Sequence, residues 1–119
     1  MRERAQRVMA VIFSGSQRGG EVEWRPRADA YRTSRGWVLK FDLAGVRPED
    51  VTVRVEGCRI TVAGTRRDCL VEEGGFHYLM EISYNRFERT IELPCDLDNP
   101  EVDLEFREGI LLVRVKTER

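Results

Sequence analysis

Apolar and polar residues alternate with a period of two along most of the chain after residue 24, the pattern of β-strands that bury one face. The apolar positions of shared parity are Trp37, Leu39, Phe41 and Leu43; Val51, Val53 and Val55; Ile60 and Val62; Phe87, Ile91 and Leu93; and Val102, Leu104 and Phe106. Two further apolar segments are Phe76–Met80 and Ile110–Val115. The pattern predicts seven short strands and no long helix.

Turn residues separate these segments. Gly57 predicts a hairpin between the second and third strands, and Glu108-Gly109 predicts another between the last two. Pro48–Asp50 is compatible with a single helical turn, and the polar stretch 65–75 predicts a long loop. Short strands with regularly spaced turns are typical of an all-β, immunoglobulin-like antiparallel β-sandwich.

The chain divides into three parts by composition. Residues 1–22 are predicted to be a short flexible N-terminal arm and linker, because an apolar patch, Val8–Phe13, is followed by the Gly- and Ser-rich stretch 14–20. Residues 23–116 form the predicted sandwich, and 117–119 a short C-terminal end. Val11, Ile12 and Phe13 either contact another polypeptide or belong to a disordered start with incidental hydrophobicity.

The charge balance argues against nucleic acid as a partner. The 119 residues include 20 basic and 21 acidic side chains, a net charge of −1, without the clustered basic surface of nucleic-acid-binding proteins. Arg66 and Arg67 are interpreted as solvated surface charge. No apolar stretch approaches the length of a membrane span or has the form of a complete signal peptide. We expect a soluble, cytoplasmic protein.

The sequence offers no catalytic constellation. Its one histidine, His77, is not arranged with a cysteine in the manner of a nucleophile and its base. A zinc site combining Cys69 and His77 with Cys58 or Cys95 lacks the closely spaced ligand pairs of structural zinc. Three cysteines cannot all pair within one chain, so free thiols in a reducing cytoplasm are expected. We predict no enzyme, no cofactor and no metal.

Arg89 breaks the alternation, because it shares parity with Phe87 and Ile91 on the apolar face of its strand. A charge in that position is costly unless it is paired or hydrogen-bonded. Three interpretations are open: the face meets a partner, the guanidinium binds backbone carbonyls inside the fold, or the side chain extends from the strand end to water.

Five segments, taken in order, resemble motifs of the small heat-shock proteins and their α-crystallin domain, in the bacterial and plant form. They are Trp24–Tyr31, similar to the family's W-x-P-x-x-D-x-Y opening; Leu43–Val51, similar to L-P-G-V-x-x-E-D-I; Ile60–Arg67, similar to L-x-I-x-G-x-R; Glu81–Pro94, similar to E-R-x-x-G-x-F-x-R-x-x-x-L-P; and Phe106–Leu111, in the place of x-x-N-G-V-L. Ala44 replaces the usual proline and Asn85 the usual glycine. The resemblance covers residues 24–116.

The resemblance implies an ATP-independent holdase chaperone whose partners are unfolding client proteins and further copies of itself. It also implies a homodimer in which the strand after the long loop pairs with the partner's sheet. The residues implied in these subunit contacts are Phe76, Tyr78, Met80, Glu81 and Arg89. Exchange of that strand fits the apolar tip of the predicted loop, which a monomer does not explain.

The resemblance further implies a peptide-binding groove between two strands, where the family docks a neighbour's I-x-I tail. The implied groove residues are Val51, Val53, Val55, Val102, Leu104 and Phe106. This sequence shows no I-x-I segment after Val115, so the size of any assembly above the dimer stays open. The alternative function is an adaptor or co-chaperone module of the same shape that binds one dedicated protein.

Overall fold

The computed structural model describes residues 2–4, 10–12, 21–94 and 100–116, which form nine β-strands and a 3-10 helix at Pro48–Asp50. The strands are β1 (Arg2–Arg4), β2 (Ala10–Ile12), β3 (Ala28–Thr33), β4 (Gly36–Asp42), β5 (Val51–Glu56), β6 (Arg59–Arg66), β7 (Asn85–Glu92), β8 (Glu101–Arg107) and β9 (Ile110–Lys116). The predicted all-β class and the helical turn are confirmed.

The strands form two sheets. The five-stranded sheet has the order β1-β8-β9-β4-β3 and is antiparallel throughout. The four-stranded sheet has the order β2-β5-β6-β7, antiparallel except that β2 runs parallel to β5. Both predicted hairpins form, and their turns contain residues with positive φ: Gly57 at 59°, Glu108 at 52° and Gly109 at 82°.

The core lies between the sheets and consists of the residues selected by the alternation. It includes Leu39, Phe41, Val53, Val62 and Leu104, all without solvent exposure. Burying side chains of this size is worth roughly 1.5–3 kcal/mol each relative to exposure. Apolar burial is therefore the main stabilising term of the sandwich.

The chain crosses from the five-stranded to the four-stranded sheet through residues 43–50. The Leu43 N–H donates to the Gly109 carbonyl at 2.8 Å, so the crossing begins against the β8–β9 turn. Gly45, at φ +83°, reverses the direction, and the helix at 48–50 then leads into β5. The crossing places the Ala44 carbonyl beside the end of β6.

Three segments differ from the sequence-based expectation. β3 was not predicted, because five of its six residues are exposed and the strand has no apolar face. Phe76–Met80, predicted to be a strand, is not in a strand within this single chain. The segment predicted to be a flexible arm contains the short strands β1 and β2.

Gly64 provides a test of the packing between β6 and its surroundings. A Cβ atom at this position would collide with the Asp50 carbonyl oxygen and lie 2.8 Å from Cζ of Phe87. We expect Gly64→Ala to lower the free energy of unfolding by about 2 kcal/mol or more, the range of overpacked sites. Chemical unfolding followed by circular dichroism measures this.

Gly75→Ala is the matched control, because its Cβ would meet only the Glu72 carbonyl oxygen at 3.3 Å in the exposed loop. Equal stability of the two variants would contradict the packing described for Gly64.

Candidate protein-binding site

The most exposed apolar residues of the described chain lie in the loop 67–84 that joins β6 to β7. Leu70 and Phe76 are 93% and 98% exposed, and Tyr78 is fully exposed. Leu79, Met80 and Ile82 are also largely exposed, as is Glu81. Side chains of this kind rarely remain in water without a functional reason. The predicted contact residues Phe76, Tyr78, Met80 and Glu81 are thus on the surface and available to a partner.

Arg66, the last residue of β6, holds the base of this loop. Its Nε donates to the Ser83 carbonyl at 2.8 Å, and its Nη2 donates to the same oxygen. Its Nη1 donates to the Ala44 carbonyl at 2.8 Å. One guanidinium therefore connects the beginning of the loop to its end and to the sheet crossing. The prediction that Arg66 is a solvated charge was wrong.

Aromatic rings hold the same guanidinium in place. Cζ of Arg66 lies 4.1 Å from the centroid of the Trp24 ring and 5.6 Å from that of Tyr84, both within cation–π range. The Trp24 indole N–H donates to the Asn85 carbonyl at 3.1 Å, and its ring packs on Phe87 at 5.1 Å between centroids. The loop therefore begins and ends on a fixed support, although its apolar tip is exposed.

The base of the loop also borders a shallow cavity of about 310 Å³. Its lining includes Ala44, Leu70, Ile82 and Tyr84. Cys69 is part of the same wall, and its Sγ accepts a hydrogen bond from Arg47 Nη2 at 3.4 Å. The apolar part of the loop is thus continuous with the surface of the sandwich.

β3 is an open sheet edge. Among the described strands only β4 pairs with it, and its residues are largely exposed, with Tyr31 nearly half so. β7, the corresponding edge of the other sheet, is partly covered: the Glu23 N–H donates to the Arg86 carbonyl at 2.8 Å, and the Glu88 N–H donates to the Trp24 carbonyl at 3.3 Å. β3 is therefore the more accessible edge on this side.

Arg89 donates from Nη1 to the carbonyl of the buried Pro26 at 2.9 Å. The guanidinium is thereby hydrogen-bonded to the backbone in a half-buried position, which is the second of the three interpretations given above. The bond attaches the segment before β3 to β7. A role of Arg89 between subunits remains a prediction.

The residues predicted for the groove belong to the core in this structure. Five of the six are buried, Val53 and Leu104 completely, and Val102 is partly buried. Their role in a groove remains a prediction, and the strands that carry them, β5 and β8, each have an outer edge. Those edges are where β2 pairs with β5 and β1 pairs with β8. Val11 and Ile12 lie in β2, and Phe13 lies outside the described residues.

No chemistry-bearing cluster emerges elsewhere in the part of the chain that the structure describes. Within it, no three His, Cys, Asp or Glu side chains are grouped so that they could hold a metal ion. His77 is exposed in the loop, and Cys95 lies outside the described residues. The same part contains no helix of the length and apolar character needed to cross a membrane.

The architecture defines a class of β-sandwich proteins with a long loop between two strands of one sheet, and solved structures share it. Heat shock protein 16.0 from Schizosaccharomyces pombe superposes with a TM-score of 0.71 at 26% identity, covering 81% of this chain and 90% of that one. HspA from Xanthomonas axonopodis gives 0.67 at 25% identity, covering 81% and 96%.

Sequence comparison extends the likeness. Spore protein SP21 of Stigmatella aurantiaca is 30% identical over 96 residues, covering 81% of this chain and 57% of the relative. Small heat shock protein C2 of Rickettsia felis is 26% identical over 90 residues, covering 76% and 58%. The pattern of the Hsp20/alpha crystallin family matches residues 29–119. This chain belongs to that family, and it spans little more than half the length of these two relatives.

Arg66→Ala tests the support of the loop. Loss of three carbonyl hydrogen bonds and the contact with Trp24 should lower the free energy of unfolding by about 1–2 kcal/mol, since the site is partly solvated. In a Trp37→Phe background Trp24 is the only fluorophore of its kind, and its emission should shift to the red.

Arg67→Ala is the matched control, because that neighbouring arginine is well exposed and forms a 3.0 Å ion pair with Asp50. The same red shift in both variants would refute the specific role of Arg66.

Proposed function

We propose that this chain is an ATP-independent holdase that binds unfolding polypeptides and prevents their aggregation. The observation that carries the proposal is the apolar segment 76–82, exposed at the tip of a loop whose base Arg66 fixes. A rigidly supported apolar segment is suited to protein partners, and membership of the Hsp20/alpha crystallin family supports chaperone work in particular.

The first partner of the loop is a second copy of the chain. Residues 76–80 of one copy add to the open edge of β3 in the other, forming a sixth strand of that sheet. Within one chain, the segment lacks a strand partner among the described residues, and so does the outer edge of β3. In a two-fold symmetric dimer both loops exchange, so the backbone groups at the outer edges of both β3 strands gain hydrogen-bond partners.

The free energy of apolar burial supports an exchange strong enough to hold a dimer. Phe76, Tyr78 and Met80 expose nearly all or most of their side chains, and two loops would bury roughly 800 Å² of apolar surface. At about 25 cal/mol per Å² this gives a gross gain of about 20 kcal/mol. The gain exceeds the roughly 4–15 kcal/mol lost in association. Arg89, which secures the segment leading into β3, supports the receiving edge.

Clients are held at those parts of the outer edges of β5 and β8 that lie beyond the three-residue pairings with β2 and β1. These two strands carry Val51, Val53, Val55, Val102, Leu104 and Phe106. The apolar residues Val11, Ile12 and Phe13 take part in the same contacts. We also propose that the chaperone acts in a reducing cytoplasm, because its three cysteines cannot all pair within one chain.

Tyr78→Pro tests the dimer. Proline removes a backbone donor from the exchanged segment, yet leaves the monomer unharmed because Tyr78 is fully exposed and lies in no strand. We expect the measured mass to fall to that of a monomer, with an unchanged circular dichroism spectrum. Light scattering coupled to size exclusion gives the mass.

Glu73→Pro serves as the control, since it lies in the same exposed loop but before the apolar segment. A dimer that survives Tyr78→Pro at micromolar concentration would show that the subunits associate elsewhere.

Holdase activity is tested with several unrelated proteins that unfold on heating, without ATP. We expect the wild-type chain to suppress their light scattering at roughly equimolar ratios for most clients, because exposed apolar segments are captured with little sequence preference. Failure to suppress any of them by a well-folded dimer would refute the holdase and favour an adaptor for one dedicated partner.

A further inference from the structure

The shallow cavity at the base of loop 67–84 combines apolar residues with arginines. Its volume of about 310 Å³ lies at the lower end of the range of small-molecule sites, about 300–1,000 Å³. The cavity therefore has the size for a small ligand rather than for a folded partner. The wall residues that matter for a ligand are Ala44, Leu70, Ile82, Tyr84, Arg66 and Arg67.

The guanidinium of Arg66 lies at this wall, because two of its partners are wall residues. It donates to the Ala44 carbonyl at 2.8 Å, and its Cζ lies 5.6 Å from the centroid of the Tyr84 ring. Its other partners are the Ser83 carbonyl and the Trp24 ring, so every partner is uncharged. Among the described residues no carboxylate contacts Arg66. Its charge at an apolar wall attracts an anion more strongly than it would in bulk water, because less solvent screens it.

Arg66 also retains hydrogen-bond donors for such an anion. A guanidinium has five N–H groups, and the bonds to the two carbonyls use one each on Nε, Nη1 and Nη2. Within the described part of the chain, one N–H on Nη1 and one on Nη2 are left. A carboxylate accepts such a pair of N–H groups in a bidentate arrangement. Arg67 is less available, because its Nη2 is already paired with Asp50 Oδ1 at 3.0 Å.

The charges around the cavity have a positive sum. Arg47 adds a guanidinium, since its Nη2 donates to Sγ of the wall residue Cys69 at 3.4 Å. Asp68, the acid of the wall, has its Oδ1 within 3.4 Å of the Leu70 N–H, which donates to it. The wall and the side chains that bond to it thus contain three arginines and two acids: Arg47, Arg66 and Arg67 with Asp50 and Asp68.

We propose that this cavity binds a free fatty acid of medium chain length. The apolar chain of the ligand lies against Leu70, Ile82 and Tyr84, and its carboxylate accepts the remaining N–H groups of Arg66. A ligand with the same apolar chain and a neutral head lacks the ionic part of this contact, and a cationic head meets the excess positive charge. The charge of the head group therefore ranks the ligands. The site does not depend on the proposed function.

The first test titrates the full chain with octanoate, octanol and octylamine, which share one apolar chain and differ in the charge of the head group. NMR follows the methyl groups of Leu70 and Ile82 and the Nε–H of Arg66, below the concentration at which octanoate forms micelles. We expect saturable shifts of these resonances with octanoate. Its affinity should be about tenfold above that of octanol, the smaller effect of a hydrogen bond to a charged group, and octylamine should bind most weakly.

The second test uses Ile82→Glu, which adds a negative charge to the wall at a position that is 64% exposed. Val71→Glu is the matched control, because Val71 is 57% exposed in the same loop and is not part of the wall. Both positions lie outside segment 76–80. We expect Ile82→Glu to weaken octanoate binding about tenfold, the effect of losing one charge-assisted contact, and Val71→Glu to bind as the wild type does.

Three results would overturn the proposal. They are equal affinities for octanoate and octanol, the absence of saturable shifts at Leu70 and Ile82, and octanoate binding that Ile82→Glu leaves unchanged. Because binding is measured without a client, its outcome is independent of the holdase assay. A chain that binds octanoate but protects no client would keep the cavity site and refute the holdase, and the opposite pair of results would refute the site alone.

Discussion

A strand at the edge of a β-sheet presents backbone N–H and C=O groups that need a partner, and two stacked sheets have four such edges. This requirement explains where the segments outside the hairpins lie. Residues 23–24 bond to part of β7, and the two N-terminal strands pair with β8 and β5. β3 is left with a single neighbour among the described strands. The function that we propose depends on which segment covers each edge.

The supported loop and the open edge complement each other. The loop has an exposed apolar segment, and the outer edge of β3 has backbone groups without a strand partner among the described residues. Pairing of the two would bury the apolar side chains and satisfy these backbone groups. Arg66 makes this effective, because a loop held at both ends loses less freedom when its tip binds. In the dimer that we propose, the Arg66 guanidinium in contact with Trp24 would thus favour association without lying in the interface.

Sequence patterns predicted those parts of the fold whose signal is local. β4 to β8 follow from period-two alternation, because one face of each strand is buried in the core, and β9 follows from its continuous apolar segment after the Glu108-Gly109 turn. β3 was missed because an edge strand with both faces largely exposed has no alternation to detect. Phe76–Met80 has the composition of a strand, but a strand forms only where a neighbouring edge is available.

The candidate site was predictable to a lesser degree. The exposed segment was found from its apolar residues after a polar stretch, and its role in subunit contacts, which the family resemblance implies, remains a prediction. Arg66 was misassigned, because Ser83 and Trp24 are distant in sequence and no charge pattern indicates carbonyl or ring partners. The groove role of the six predicted residues remains a prediction, because five of them are buried here and alternation alone does not show which side chains at a sheet edge remain accessible.

The register of β6 and β7 has one further consequence. Arg66 stands opposite Asn85, so the loop leaves and rejoins the sandwich at neighbouring positions of the same sheet. In the dimer that we propose, segment 76–80 could therefore leave one partner and join another without breaking any strand pairing inside either domain. The rate of subunit exchange in that proposed dimer would then not depend on the thermal stability of the fold. A population of such dimers would re-sort its subunits under mild warming while every sandwich stays intact.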